Sequence, residues 1–282
     1  MRILIAGCGY VGSILASTLS REGHAVWGLG RALMNLPKRV DALYADVTQA
    51  DSLTSLPTAL DAVVYAIGAG AYDEERYRAI YVDGVSNLLS ALQRQPIPPT
   101  RFVYVSSTGV YAQDGGEWVD EDSPAEQTHF SGAALLAGER IVADSRISSV
   151  VVRLGGIYGP NRTRLIDSVR DGSATVASNP SYINLIHRDD CAGIIQHVLQ
   201  LAKPQPLYLG VDNEPTDRRI ILEWIADRMG VAPPQTTDIL PSPRAARGNK
   251  RCKNARITSA GYKFRYPTYR EGYEELIRST LS

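Results

Sequence analysis

An α/β fold built on a doubly wound parallel sheet is predicted from three observations. Short apolar runs recur along the chain, each the length of a buried parallel strand and too short for a helix. Segments with helical spacing separate them, joined by short loops. The first of these runs leads straight into Gly7-Cys-Gly9-Tyr10-Val11-Gly12, a glycine loop at a strand–helix junction. A chain of 282 residues with 44% hydrophobic and 21% charged residues has an ordinary globular composition and enough length for a large core.

The elements follow in order. Arg2 to Ala6 is the first strand, Ser13 to Ser20 the first helix (Leu15 and Leu19 on one face), and His24 to Leu29 the second strand. Ala42 to Ala45 and Ala62 to Ala66 are the third and fourth strands, the latter followed by the small-residue stretch Ile67 to Ala71. Asp73 to Leu92 reads as a long helix. Arg101 to Val105 is a fifth strand running into Ser106-Ser107-Thr108, Ser131 to Ala143 is a helix, and Ser149 to Val152 is a sixth strand. Beyond Pro160 the pattern loosens. Helices are expected at Asp190 to Leu201, Arg218 to Met229 and Arg270 to Leu281, with a strand at Pro206 to Gly210. Prolines 233, 234, 241 and 243 break up a loop.

The glycine loop carries a chemistry. Gly7 permits the tight turn, Gly9 lets backbone N–H groups approach a pyrophosphate, and Gly12 lets the helix pack on the strand, with the helix N-terminus facing the anion. Binders of NAD hold the ribose 2′-hydroxyl with an Asp or Glu about twenty residues further on. Here that stretch ends in Gly28-Leu-Gly30-Arg31, with no carboxylate nearby in sequence. A guanidinium pairs with a 2′-phosphate and a carboxylate repels it, so NADP(H) is expected over NAD(H).

Other classes find little support. Thirty Lys+Arg balance thirty Asp+Glu, so no net field recruits nucleic acid or membrane. Cys8, Cys191 and Cys252 are odd in number and form no C-x-x-C, which argues against a disulfide framework or a zinc site. No apolar run reaches membrane length and no signal-peptide pattern opens the chain, so a cytoplasmic location is expected. G-x-S-x-G and H-E-x-x-H are both absent.

With these residues in view, the sequence resembles the extended short-chain dehydrogenase/reductase superfamily, the NAD(P)-dependent epimerase/dehydratase group. The carriers are Gly7 to Gly12, Asp46-Val47, Asp83-Gly84, Ser106-Ser107-Thr-Gly-Val-Tyr111, Arg153 through Tyr158-Gly-Pro160, and Asn184 to Asp190. The resemblance implies a Rossmann domain over residues 1–158 plus about 184–210, and a smaller substrate-binding lobe over about 159–183 plus 211–282. It implies that Asp46 touches the adenine, that the loop Ala66, Ile67 and Gly68 passes the ribose, and that Ser107 sits beside the nicotinamide, with Val47, Ser106 and Tyr158 as further cofactor-binding candidates and Tyr111 and Tyr158 shaping the cleft. Tyr111, Arg162, Asn184 and Arg251 are its substrate-side candidates. A small-molecule substrate and a monomer or homodimer are expected.

One departure matters. The family's proton donor is a tyrosine four residues before a lysine. Alignment on Glu139 puts Ser131 at the tyrosine position and Leu135 at the lysine position. The residues four before the five lysines are Met34, Leu199, Ala246, Asn249 and Ser259, so no other register restores the pair. Ser107 is then the leading catalytic candidate, with His129, His187 and Asp83 behind it; a histidine titrates in the useful range, whereas the Ser131 hydroxyl does not. Arg244, Arg247, Lys250, Arg251, Lys253 and Arg256 crowd thirteen residues, and with Arg162 and Arg164 they suit either an anionic substrate or a solvated loop. Three readings stay open: an NADP-dependent oxidoreductase or epimerase-like enzyme on a small polar substrate, anionic if that cluster faces it; a non-catalytic NADP(H)-binding sensor or partner-binding module; and an ordinary nucleotide-sugar epimerase or dehydratase.

Overall fold

In a computed structural model the chain is described over residues 1–33, 36–127, 129–237 and 248–281. Seven strands form the main sheet: β1 (Arg2–Ala6), β2 (Ala25–Gly30), β3 (Asp41–Tyr44), β4 (Ala62–Tyr65), β5 (Arg101–Ser107), β6 (Ser149–Leu154) and β7 (Leu207–Gly210). Their order across the sheet is β7-β6-β5-β4-β1-β2-β3. The pairs β1–β2, β1–β4, β2–β3 and β4–β5 are all parallel. This is the doubly wound order, which reverses direction beside β1 and opens a crevice at the carboxyl ends of β1 and β4. Ile3, Leu4, Ile5 and Val63, Val64 are fully buried, as strands covered on both faces require.

The chain divides into two compact units. The first comprises Met1–Val110, Glu126–Arg153 and Ala192–Tyr208. Its helices are α1 (Gly12–Arg21), a composite helix from Glu74 to Gln93, and α3 (Phe130–Ala143); we call the composite α2. Between Ala79 and Gly84 α2 widens into a π-helical segment. The cause is the Tyr65 hydroxyl at the end of β4, which donates to the Ile80 carbonyl at 2.6 Å. An inserted side chain of this kind disturbs the helical ladder, and a side chain at Gly84 would meet the same hydroxyl at 2.8 Å.

One buried ion pair ties α3 to the sheet. Arg153 donates from Nε to Glu139 Oε1 at 3.0 Å and from Nη2 to Oε2 at 2.6 Å, and the Ser106 hydroxyl adds 2.5 Å to Oε1. Both charged side chains are at most 10% exposed. Glu139 thus serves the core, and the helix that carries Ser131 is pinned to β5 and β6.

The second unit comprises Tyr111–Ala125, Leu154–Cys191 and Leu209–Ser282. Short strands organise it: Lys250–Cys252 pairs parallel with Glu117–Val119, and Leu185–His187 with Gly156–Tyr158. A core of Ile166, Val169, Ile221, Ile225, Tyr269 and Tyr273 holds its helices together. No described helix is long and apolar enough to cross a membrane.

Candidate active site

In the first unit, the glycine loop and the loop after β4 meet backbone to backbone. Gly7 adopts φ +100°, and a Cβ there would lie 2.7 Å from the Ala66 carbonyl and the Ile67 nitrogen. Gly12 is equally confined, since a Cβ would run into the Gly7 carbonyl oxygen. Gly9 is the opposite case: it is exposed, and a Cβ would meet nothing within 4 Å. Gly68, in the loop after β4, is also open. Helix α1 begins after Val11 with no side-chain cap and no acidic residue in its first turn. Uncapped N–H groups beside open glycine backbone make a cradle for an anion, so these residues fit a dinucleotide pyrophosphate. Tyr10 lies on the same loop, half-buried, and Val47 is buried under the Asn87 amide.

Arg31 and Asp46 require a correction. The sequence shows no carboxylate near Arg31, yet Arg31 Nη1 lies 3.8 Å from Asp46 Oδ2. The register explains it: Gly30 pairs with Tyr44, so both residues leave the sheet at the same end. Asp46 also accepts from the Thr48 amide at 3.0 Å and the Thr48 hydroxyl at 2.8 Å. Burial alone would raise its pKa, but the Thr48 bonds and the charges of Arg31 and Arg76 outweigh that and lower it. Arg31 stays 58% exposed, where an ion pair is weak.

Ser107 ends β5, and its Oγ accepts from the Gly109 amide at 3.1 Å; its own O–H proton is left to donate. Ser106 faces the other way, buried against Glu139. Ser131 opens α3. His129, its N-cap, accepts at Nδ1 from the Ser131 amide at 3.4 Å and lies 3.1 Å from the Ser131 hydroxyl. Leu135 is buried and Asp83 exposed. Met34, four residues before Lys38, lies outside the described residues.

The second unit assigns most of its candidates to packing. His187 is 3% exposed and accepts at Nδ1 from the Asp189 amide at 3.2 Å, its ring 3.8 Å from that of Tyr266. Burial pulls its pKa down to about 4, partly offset by Asp189, so it is a neutral core ring at pH 7. Tyr158, a cofactor-binding candidate expected to shape the cleft, is a core residue stacked on Tyr273 at 4.4 Å, and burial pushes its pKa up. Tyr111 is fully buried and donates to the Asp120 carbonyl at 2.7 Å. Asn184 clamps a neighbouring strand, donating to the Lys250 carbonyl and accepting from the Cys252 amide.

The cationic cluster is likewise structural where it is described. Arg251 donates to the Gly116 carbonyl and stacks between Trp118 at 4.8 Å and Tyr182 at 4.7 Å. Lys250 is buried and donates to the Tyr111 carbonyl; Lys253 lies over Trp118; Arg256 pairs with Asp122. Arg244 and Arg247 lie outside the described residues. Arg162 and Arg164 are exposed. The described residues hold no group of three or more His, Cys, Asp or Glu suited to a metal ion.

Residues 3–206 match the model of the NAD dependent epimerase/dehydratase family. The chain belongs to this family. It is an atypical member of the extended short-chain dehydrogenase/reductase superfamily, with the Rossmann fold and an NAD(P)-binding loop. Among curated relatives, Protein YeeZ of Escherichia coli is 28% identical over 94% of this chain and 96% of its own length. The 3 beta-hydroxysteroid dehydrogenase/Delta 5-->4-isomerase of Mycobacterium tuberculosis is 30% identical over 66% of this chain. That match spans 58% of the dehydrogenase's length. A solved protein from Methylobacillus flagellatus, assigned as an NAD-dependent epimerase/dehydratase, is 38% identical over 100% of this chain and 99% of its own, with a TM-score of 0.84. Two remoter structures share the fold: human epimerase family protein SDR39U1 with NADPH, at 20% identity, TM-score 0.78 and 99% coverage of both chains, and MoeE5 with UDP-glucose and NAD, at 20% identity, TM-score 0.81 and 100% coverage of both.

Helix α3, expected to occupy the place of the family's tyrosine and lysine, carries Ser131 and Leu135. A residue missed in the sequence stands beside them. Tyr72, from the loop after β4, places its hydroxyl 3.1 Å from His129 Nδ1 and 3.3 Å from Ser131 Oγ. Fifty-seven positions separate Tyr72 from His129, and no local pattern links them.

Proposed function

We propose that this protein is an NADP(H)-preferring oxidoreductase, or an epimerase-like enzyme, acting on a small polar carbonyl or alcohol compound. The observation that carries the reading is the open backbone at Gly9 beside the uncapped start of α1, with the exposed Arg31 guanidinium at the end of β2. Gly9 and the α1 N-terminus take the pyrophosphate, and Arg31 takes the 2′-phosphate. Human SDR39U1 holds NADPH whereas MoeE5 holds NAD, so the preference rests on Arg31. A bound nicotinamide supplies or accepts hydride. The chain supplies orientation: Ser107, at the carboxyl end of β5, donates its hydroxyl proton to a substrate oxygen. The described cationic cluster is committed to structural partners, so nothing in it selects an anionic substrate.

Calorimetric titration with NADPH and NADH tests the reading. Charge-assisted bonds to a phosphate contribute roughly 1.5–3 kcal/mol, and exposure of Arg31 reduces this to about 1–2 kcal/mol. Arg31→Ala is therefore expected to weaken NADPH binding roughly fivefold to thirtyfold and to leave NADH unchanged. Equal affinity for the two dinucleotides in the unmodified protein overturns the preference.

A further inference from the structure

The ion pair at the ends of β2 and β3 has no net charge of its own. Arg31 Nη1 stands 3.8 Å from Asp46 Oδ2, and the Thr48 amide and hydroxyl both donate to that carboxylate and favour its charged form. One guanidinium beside one carboxylate offers a phosphate little attraction, since the carboxylate repels what the guanidinium draws in. A second cation bears on the same place. The Asp46 carboxylate feels the charge of Arg76 as well as that of Arg31.

Arg76 comes from the first turn of α2, and the chain around it fixes its position. Asp73 caps the helix and accepts from the Arg76 amide at 2.8 Å. The side chain folds back on the loop after β4, where Arg76 Nε donates to the Ala69 carbonyl at 3.0 Å. The Ala69 amide donates in turn to the Tyr81 hydroxyl at 3.4 Å, so α2 holds that residue by both of its backbone groups. Further along α2, the Asn87 amide donates to the Val47 carbonyl at 3.0 Å, and a Cβ on Gly84 would stand 2.8 Å from the Val47 side chain. Helix α2 therefore packs on the segment that carries Asp46, with its first turn at the carboxyl end of the sheet. Arg76 is half-buried, and among the described residues no carboxylate pairs with it. Its Nε is committed to Ala69, which leaves both terminal nitrogens and the charge for a ligand.

We propose that Arg76 is the second cation of the 2′-phosphate site and that it decides, together with Arg31, that this protein takes NADP(H). The inference rests on the NADP(H) reading and deepens it. Two guanidinium groups against the one carboxylate of Asp46 leave a single net positive charge, which the pair at the strand ends lacks by itself. The two arginines play different parts. Arg31 is 58% exposed and must be ordered by the phosphate, whereas Arg76 is already anchored at Nε and loses less freedom on binding.

Calorimetric titration with NADPH and NADH of the unmodified protein, Arg31→Ala, Arg76→Gln and the double variant tests it. The Gln amide nitrogen stands at the same place along the side chain as Arg Nε, so Arg76→Gln keeps a donor for the Ala69 carbonyl while removing the charge and both terminal nitrogens. It is expected to weaken NADPH binding about tenfold and to hold NADH within about twofold. In the double variant Asp46 meets the phosphate alone, and NADPH is expected to bind more weakly than NADH. Unchanged NADPH affinity in Arg76→Gln overturns the proposal and leaves the Arg31 reading standing. An equal loss for both dinucleotides also overturns it, since a hold on the adenine or on the loop does not distinguish them. So does a double variant that still prefers NADPH. Equal affinities in the unmodified protein overturn the proposal and the cofactor preference together.

Discussion

Gly9→Val and Gly12→Val, compared side by side, separate what the glycine loop does for the fold from what it does for a ligand. At Gly9 a Cβ meets nothing within 4 Å and the backbone is outside the left-handed region. The substitution should therefore change stability by no more than about 0.5 kcal/mol. At Gly12 the added carbon meets the Gly7 carbonyl and, at 3.3 Å, the Ile5 side chain. Overpacking against backbone stands at the upper end of its usual range, about 3 kcal/mol, or roughly 6–12 °C in melting temperature for a chain of this size. With NADPH at about 100 times its Kd, the unmodified protein gains ~2.7 kcal/mol, a rise of roughly 5–10 °C. Gly9→Val blocks two charge-assisted backbone bonds at about 1.5 kcal/mol each, a loss of ~3 kcal/mol and of about 150-fold in affinity. At the same NADPH concentration its gain is then only about 0.3 kcal/mol, under about 1 °C. Differential scanning fluorimetry reads all three proteins with and without NADPH. A full NADPH shift in Gly9→Val refutes the pyrophosphate reading, and a Gly9→Val protein as unstable as Gly12→Val refutes the open space.

Two further outcomes follow from the core. Arg153→Met leaves the Glu139 carboxylate buried with only the Ser106 hydroxyl, and is expected to cost about 3–5 kcal/mol by urea denaturation, most of it recovered when Glu139 is made apolar as well; a cost under about 1 kcal/mol would show that the pair is not sealed from water. His187 has a folded pKa of about 4, below the roughly 6.5 of an unfolded histidine, so the unfolded state binds more protons in that window and His187 lowers stability as pH falls from about 6.5 to 4. The raised pKa values of Asp190 and Asp212 act with the opposite sign, so the difference between the unmodified protein and His187→Gln isolates the histidine; parallel pH profiles of the two would remove its role.

The main sheet was legible because its signals are local. Strands β1, β4, β5 and β6 are largely buried apolar runs, while β3 at the sheet edge is mostly exposed, and Gly7 and Gly12 announce their turn and packing by spacing alone. Even β7, far along the chain, reads as Leu207-Tyr-Leu-Gly210. The short strands of the second unit, such as Glu117–Val119 against Lys250–Cys252, did not announce themselves. Three residues carry no periodicity, and their pairing comes from contacts across more than a hundred positions. The same holds for charge. Six cations in thirteen residues resemble an anion site, yet each described member finds a ring, a carbonyl or a carboxylate on a distant segment. Arg31 seemed free of carboxylates until the Gly30–Tyr44 register brought Asp46 beside it.

Residue types at fixed spacing were enough for the family, the glycine loop and the lack of any tyrosine four residues before a lysine. Which candidates face solvent and which support the core depended on the packed chain. It turned His187, Tyr158 and Tyr111 inward, gave Glu139 to Arg153, and brought Tyr72 across fifty-seven positions to His129 and Ser131. Spacing along a chain reports neighbours only within a helix or strand; contacts between loops depend on where the sheet carries their ends.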